Sequence, residues 1–220
     1  MSEAFARPRA RVRAKSAIRE YLEAIVLAIV LTIAIRGLVV QAFRIPTSSM
    51  EDTLQVGDFL FVNKMVYGSE IDMGIAGHQL VYHRFPAIRE PKPGDVVVFR
   101  YPDDPSRDFI KRCVAVGGQT VELRDKVLYV DGKAQEEPFA IHKDPRVLPR
   151  ESSPRDNFGP FVVPRGQLFM MGDNRDNSQD SRFWGGLPRN LVKGQAMILY
   201  WSWDADRRLP RLERLLHPIR

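Results

Sequence analysis

Between Tyr21 and Phe43 the chain reads YLEAIVLAIVLTIAIRGLVVQAF, and the run Ala24–Ile35 carries no charge. At a 1.5 Å rise, a helix of this length spans about 34 Å, enough to cross a bilayer. Glu23 lies towards one end, and Arg36 and Gln41 towards the other, where long side chains snorkel. A buried core helix or a cleaved leader would show a similar pattern. Against a leader, the apolar run is long and no small-residue cleavage site follows; Arg44, Ile45 and Pro46 do. The pattern predicts one membrane-spanning helix over 21–43.

From Gly57 onward the pattern changes to short apolar runs rich in β-branched and aromatic residues, punctuated by Gly, Pro and Asp. Candidate strands are Phe59–Asn63, Val96–Tyr101, Phe109–Val116, Val127–Val130, Gln167–Met171 and Gln195–Trp201, with a turn at Asp131-Gly132. No long amphipathic helix interrupts them, which predicts a mainly β, antiparallel domain over 44–220. Insertions interrupt the rhythm near 68–93 and 136–164, the latter with six prolines. The tail Pro210–Arg220 sets Leu212, Leu215 and Leu216 among cations, as a short amphipathic helix on the domain or membrane surface or a docked terminal helix would.

Charge adds orientation. The chain is +6 overall, but residues 1–20 hold six cations against two anions, a net of +4, leaving +2 for the rest. A basic head over 1–20 before an apolar span places the N-terminus in the cytoplasm and the β domain outside it. A nucleic-acid partner is not expected, because the folded part lacks the basic excess. Cys113 is the single cysteine, so no intrachain disulfide forms, and the four histidines show no paired ligand spacing; no metal or cofactor is expected.

Immediately after the span comes RIPTSSM, residues 44–50. Ser49 lies six residues after Phe43, so at about 3.3 Å each it lies within roughly 20 Å of the membrane end. A serine hydroxyl needs a base. No histidine stands in a triad context and no G-x-S-x-G elbow occurs. The candidate base is Lys111 in RDFIKRCV: on a strand it shares a face with Phe109, Cys113 and Ala115, where desolvation lowers a lysine pKa. Arg112 occupies an equally apolar opposite face, so periodicity leaves open which cation is buried. The stretch GDNRDNSQDSRFWG (172–185) fails the EF-hand spacing from either Asp173 or Asp176. Phe183 and Trp184 imply that it packs inward as a hydrogen-bonded network rather than a solvated loop.

Four blocks then resemble type I signal peptidases in order and spacing: IPTSSMEDTLQVGDFLFVNK (45–64), PGDVVVFRYPDDPSRDFIKRCVAVGG (93–118), LYVDG (128–132) and MGDNRDNSQDSRFWG (171–185). The resemblance implies a membrane-bound serine endopeptidase that removes N-terminal signal peptides from exported preproteins through a Ser/Lys dyad. It implies Ser49 as nucleophile, Lys111 as general base, Ser178 as the hydroxyl orienting the lysine amine, and Thr47 with the Ser49 N–H as the oxyanion hole. It implies Asp173, Asp180 and Arg182 as structural support, and Phe43, Ile45, Pro46, Met50, Leu54, Phe109 and Ile110 as the lining of shallow side-chain pockets. Expected partners are exported preproteins and the lipid bilayer, with the secretion translocon a further candidate. Glu51-Asp52 departs from the family, which often has proline before the residue matching Thr53. A self-cleaving Ser/Lys peptidase of the repressor type would need a DNA-binding head, and residues 1–43 show no helix-turn-helix. A non-catalytic tethered β domain would have no need of both dyad residues.

Overall fold

The computed structural model describes residues 17–68, 70–75, 78–84 and 86–219, with backbone alone at 17, 33–38 and 70–84. Most of the basic head, residues 1–16, therefore lies outside the described residues. Helix α1 runs Ala17–Leu38. Strands β1 (Val40–Arg44), β2 (Asp58–Asn63), β3 (Glu70–Ile75), β4 (His78–Arg84), β5 (Val96–Tyr101) and β6 (Asp104–Val116) follow. After them come β7 (Thr120–Arg124), β8 (Val127–Val130), β9 (Lys133–Ala134), β10 (Phe158–Val162) and β11 (Gln167–Met171). The one-turn helix α2 (Ser181–Trp184) precedes β12 (Leu187–Pro188), β13 (Val192–Asp204), β14 (Leu209–Pro210) and β15 (His217–Pro218).

The fold is mainly β and antiparallel. A wide sheet runs β1-β2-β13-β5-β6-β11-β12, with β14 and β15 also paired to β13. A four-stranded sheet runs β10-β7-β8-β9, and β3 and β4 form a hairpin. Alternation divides the core. Val96 and Val98 of β5 join Leu60, Val62, Ala196 and Leu199 on one face; Val97 and Phe99 join Cys113, Met170 and Leu187 on the other. A third cluster packs Val121, Leu123 and Leu128 of the smaller sheet against Phe169 and Met171 of β11. The wide sheet is thus buried on both faces at β5 and β11, which explains why those strands read as continuous apolar runs.

Two sequence expectations are corrected. The helix was expected over Tyr21–Phe43, but it stops at Leu38. Residues Val40–Arg44 pair with Phe59–Asn63 instead, so Phe43 is a strand residue facing Leu60 in register. Among the described residues no helix is long and apolar enough to cross a membrane; Arg19, Glu20 and Glu23 occupy the first turns of α1, and its side chains are described only as far as Thr32. The tail is not an amphipathic helix. It makes a single turn at Leu212–Arg214, then β15 pairs with Ile198 and Leu199. Arg214 ties it down with a 2.6 Å ion pair to the buried Asp58 and a 3.0 Å bond to the Thr53 carbonyl.

Candidate active site

Ser49 sits on the loop joining β1 to β2. The loop mouth is closed by Ile45 N–H to the Asp58 carbonyl at 2.9 Å and Gly57 N–H to the Ile45 carbonyl at 3.0 Å. Gly57 has φ +94°, and a Cβ there would come within 2.1 Å of the Trp203 carbonyl oxygen, so only glycine fits this entry to β2. Ile45, Met50 and Leu54 are buried in the core and hold the loop from below. Leu54 N–H bonds the Met50 carbonyl at 2.6 Å, and Asp52 takes φ +73° in the turn between them. A short, core-anchored loop therefore presents Ser49, itself 8% exposed.

Lys111 reaches it from β6. Its Nζ donates to Ser49 Oγ at 2.5 Å, and it is only 4% exposed. Its Nζ also lies 5.6 Å from the Phe109 ring centroid. Burial pushes the Lys111 pKa down from 10.5 to about 8; Asp180 and Asp173 pull the other way without cancelling it. Among the described residues no carboxylate makes an ion pair with the amine, so desolvation outweighs the attraction of Asp180 and Asp173.

Arg112, the cation left undecided by periodicity, is buried as well, but on a different errand. Its Nε and Nη2 reach Asp173 at 2.8 and 2.6 Å, and its Nη1 reaches the Gly94 carbonyl at 2.8 Å. Phe139 lies under the guanidinium at 3.8 Å to the centroid. Thr53 Oγ1 donates to the same Asp173 at 2.6 Å, so the serine loop, β6 and the segment after β11 meet on one carboxylate. A fully buried bidentate pair of this kind is satisfied at every oxygen, the condition under which a buried charge is tolerable.

The segment 172–185 forms a buried hydrogen-bonded network, but not through the aromatic residues the sequence pointed to: Phe183 is exposed and Trp184 only half-buried, while Asp173, Asn174, Arg175, Asp180, Ser181 and Arg182 carry the packing. Arg182 grips Asp180 through Nε and Nη2, both at 2.8 Å, and spends its remaining donors on the Arg155 and Arg175 carbonyls. Burial alone would raise the Asp180 carboxyl; the Arg182 guanidinium and the Gly172 N–H outweigh it and hold the carboxyl below its usual range. Ser178 does not hydrogen-bond Lys111. Its Oγ is buried without a partner of good geometry, against Gly172, where a Cβ would come within 2.3 Å of it and 2.5 Å of the Ser49 carbonyl oxygen. A side chain at 172 would hold Ser178 and Ser49 apart.

Thr47 is exposed, with Oγ1 3.5 Å from Ser49 Oγ. A cavity of about 500 Å³ opens over these groups, lined by Pro46, Thr47, Ser49, Phe109, Ile110 and Lys111, with Arg107, Asp108, Asn177 and Gln179 at its edge. Of the predicted pocket residues, Pro46, Phe109 and Ile110 line it. Ile45, Met50 and Leu54 lie beneath it in the core, and Phe43 is half-buried against that core with Lys193 near its ring.

Sequence reasoning missed several members of the site. Asn174 N–H bonds the Ser49 carbonyl at 3.1 Å, and its side chain reaches the Ser48 carbonyl and Glu51. Glu137 clamps Arg175 through both oxygens. Ile141 exchanges backbone bonds with Asp173 and Arg175, carrying the proline-rich excursion across the segment 172–177. The only available signal was the density of polar residues in 172–180, which shows that partners exist but not where they come from.

A protein-family model described as signal peptidase, peptidase S26, matches residues 18–201. Signal peptidase I of Aquifex aeolicus is 34% identical over 92% of this chain and 91% of its own length. Signal peptidase I of Pseudomonas aeruginosa is 33% identical over 84% and 74%, and that of Bacillus licheniformis 30% over 88% and 94%. Among solved structures, a signal peptidase I from Enterococcus faecalis matches at 29% identity and a TM-score of 0.40, covering 50% of this chain and 98% of that one.

Proposed function

The chain belongs to the signal peptidase family, peptidase S26, and is a serine endopeptidase of that family; from this premise we propose that it removes signal peptides from exported preproteins with a Ser49–Lys111 dyad, held at a membrane by α1. The observation that carries the dyad is the 2.5 Å approach of Lys111 Nζ to Ser49 Oγ with both side chains buried and no carboxylate paired to the amine. With its pKa lowered to about 8, a useful fraction of the lysine is neutral near pH 7–8 and takes the Ser49 proton as Oγ attacks the scissile carbonyl. The carbonyl oxygen becomes an oxyanion, met by the Ser49 N–H and the Thr47 hydroxyl. The protonated lysine then delivers its proton to the departing amine, and water repeats the sequence to release the acyl group. Ser178 orients the amine in this scheme; its burial against Gly172, next to the Ser49 carbonyl, supports that role. The Asp173–Arg112 and Asp180–Arg182 pairs hold the strands that carry these groups.

The membrane reading rests on the surface of α1. Leu22, Ile25, Val26, Leu27, Ile29 and Val30 are each more than half exposed. A helix that is apolar all round belongs in a core or in lipid, and here no core surrounds it. The sequence continues the apolar run through Ile33, Ala34 and Ile35. The basic head then favours a cytoplasmic N-terminus with the β domain on the far side. Preproteins emerging from the translocon would meet Ser49 close to the bilayer surface.

Specificity follows from the rigid floor of the site. Ile110 and Pro46 line the cavity above a packed layer of Ile45, Met50 and Leu54, which leaves shallow recesses for small side chains. The purified full chain should cut a preprotein with Ala at the first and third positions before the bond and release one defined mature N-terminus. Trp at either position should lower kcat/KM by at least about tenfold, since overfilling a pocket on a packed floor is costly. Failure to cut the Ala preprotein would refute the proposed function; equal processing of the Trp variants would refute the shallow-pocket reading.

A further inference from the structure

The proposed mechanism uses the Ser49 N–H as one of two oxyanion donors. That N–H is half of a peptide plane whose other half is the Ser48 carbonyl. In a trans peptide the two point in opposite directions, so whatever fixes the Ser48 carbonyl aims the Ser49 N–H. The Ser48 carbonyl accepts from Asn174 Nδ2 at 3.2 Å, and the same Nδ2 donates its second hydrogen to Glu51 Oε2 at 3.1 Å. Both neighbours of Nδ2 are acceptors, which sets the orientation of the amide. Asn174 is 1% exposed, and its backbone N–H separately holds the Ser49 carbonyl at 3.1 Å. The peptide before Ser49 and the carbonyl after it are thus both gripped by one residue that touches neither the cavity nor the dyad hydrogen bond. Glu51 is itself braced by Lys143 Nζ at 2.6 Å, from the proline-rich excursion.

We infer that Asn174 is a positioning residue for the oxyanion hole: its side-chain amide pins the Ser48–Ser49 peptide plane so that the Ser49 N–H is aimed at the developing oxyanion. This rests on the proposed dyad reading. Its consequence is confined to the transition state. Loss of the side chain leaves the Asn174 backbone bond to Ser49, so the loop stays docked while the plane gains freedom to rock.

The test uses the purified full chain and a preprotein with Ala at both recognition positions. Asn174→Ala should lower kcat by about tenfold, less than deletion of a whole donor because the N–H is misaimed rather than removed. KM and the pH limb near 8 should be unchanged. Asn174→Asp, close in volume but with an acceptor facing the Ser48 carbonyl, should lose at least as much. Affinity for a peptide boronic acid, whose tetrahedral adduct bears the oxyanion-like oxygen, should fall in step with kcat, while affinity for an uncleavable ground-state peptide stays level. A wild-type kcat and boronate affinity in both variants would overturn the inference, as would losses that appear equally in KM, shift the pH limb or track a lowered Tm. A wild-type chain that cuts no preprotein would instead sink the function on which the inference rests.

Discussion

Lys111→Arg should abolish preprotein cleavage although the charge is kept. Among the described residues the amine is the one basic group bonded to Ser49 Oγ, at 2.5 Å. A guanidinium does not deprotonate in a protein, so it cannot accept the serine proton. Lys111→Met removes the base and the buried charge together and should fold at least as well, because an ammonium without a paired carboxylate is costly to bury. Both variants, and Ser49→Ala, should lose roughly 10⁴-fold or more in kcat, and the Ser49→Ala/Lys111→Met double variant should lose no more than the worse single, as groups acting as one unit do. The wild-type pH profile carries the same argument. Burial lowers the Lys111 pKa from 10.5 to about 8, and in the proposed mechanism the neutral amine is the active form. kcat/KM should therefore rise about tenfold per pH unit below 8 and level above it. Single-turnover cleavage of a labelled preprotein across pH 6–10 measures this. Robust turnover by Lys111→Arg, or a profile that is flat through pH 8, would remove Lys111 from the proposed role.

The sequence singles out Ser49 and Lys111 together through the resemblance of their blocks to type I signal peptidases, and the fold brings the two side chains into contact. What was not legible is what decides between neighbours. On β6 the periodicity offered Lys111 and Arg112 as equal candidates for burial, and both are buried. The distinction is that Arg112 meets Asp173, 61 residues away, whereas Lys111 meets a neutral hydroxyl. A one-dimensional pattern carries no information about such a partner. The same limit applies at β1. Val40–Arg44 continues the apolar character of the helix before it, and a short apolar run fits a buried strand as well as a helix end. Only pairing with β2 settles the break after Leu38.

The excursion 136–164 shows a different limit. Its prolines mark it as irregular, and the backbone is largely that outside β10. Irregular backbone is nonetheless compatible with dense function. Glu137, Phe139, Ile141 and Lys143 reach Arg175, Arg112, the segment 173–175 and Glu51, each a contact on the site's supporting layer. The proline-rich insertion is thus packed against the layer that supports the candidate active site. The physical reason is that residues 172–175 are buried but belong to no strand, so their backbone groups need partners that a neighbouring irregular chain supplies.

Thr47→Val should cost kcat roughly 10²–10³-fold, the usual loss for one oxyanion donor. In the proposed mechanism, attack by Ser49 concentrates negative charge on the former carbonyl oxygen, and the Ser49 N–H supplies one donor to it. The second must lie on the open side of the nucleophile. Thr47 Oγ1 is there, exposed at the rim of the cavity and 3.5 Å from Ser49 Oγ. A turn threonine that only braces its own backbone would give the same local sequence. The two roles separate on substitution. Thr47→Ser keeps the hydroxyl and should remain active; valine keeps the shape and deletes the donor. Because the bond strengthens only as charge develops, KM should move little. The pH limb near 8 should also stay in place, since it reports Lys111, whose pKa is lowered chiefly by burial. The Thr47→Val loss should be larger than that of Asn174→Ala, because deleting a donor removes its whole contribution whereas releasing a peptide plane leaves the N–H present and misaimed. Steady-state kinetics on the three variants, with thermal melts to confirm folding, measure the order. A near-wild-type kcat for well-folded Thr47→Val would place the second donor elsewhere on the rim, with the Ser48 and Gln179 side chains next to be tested.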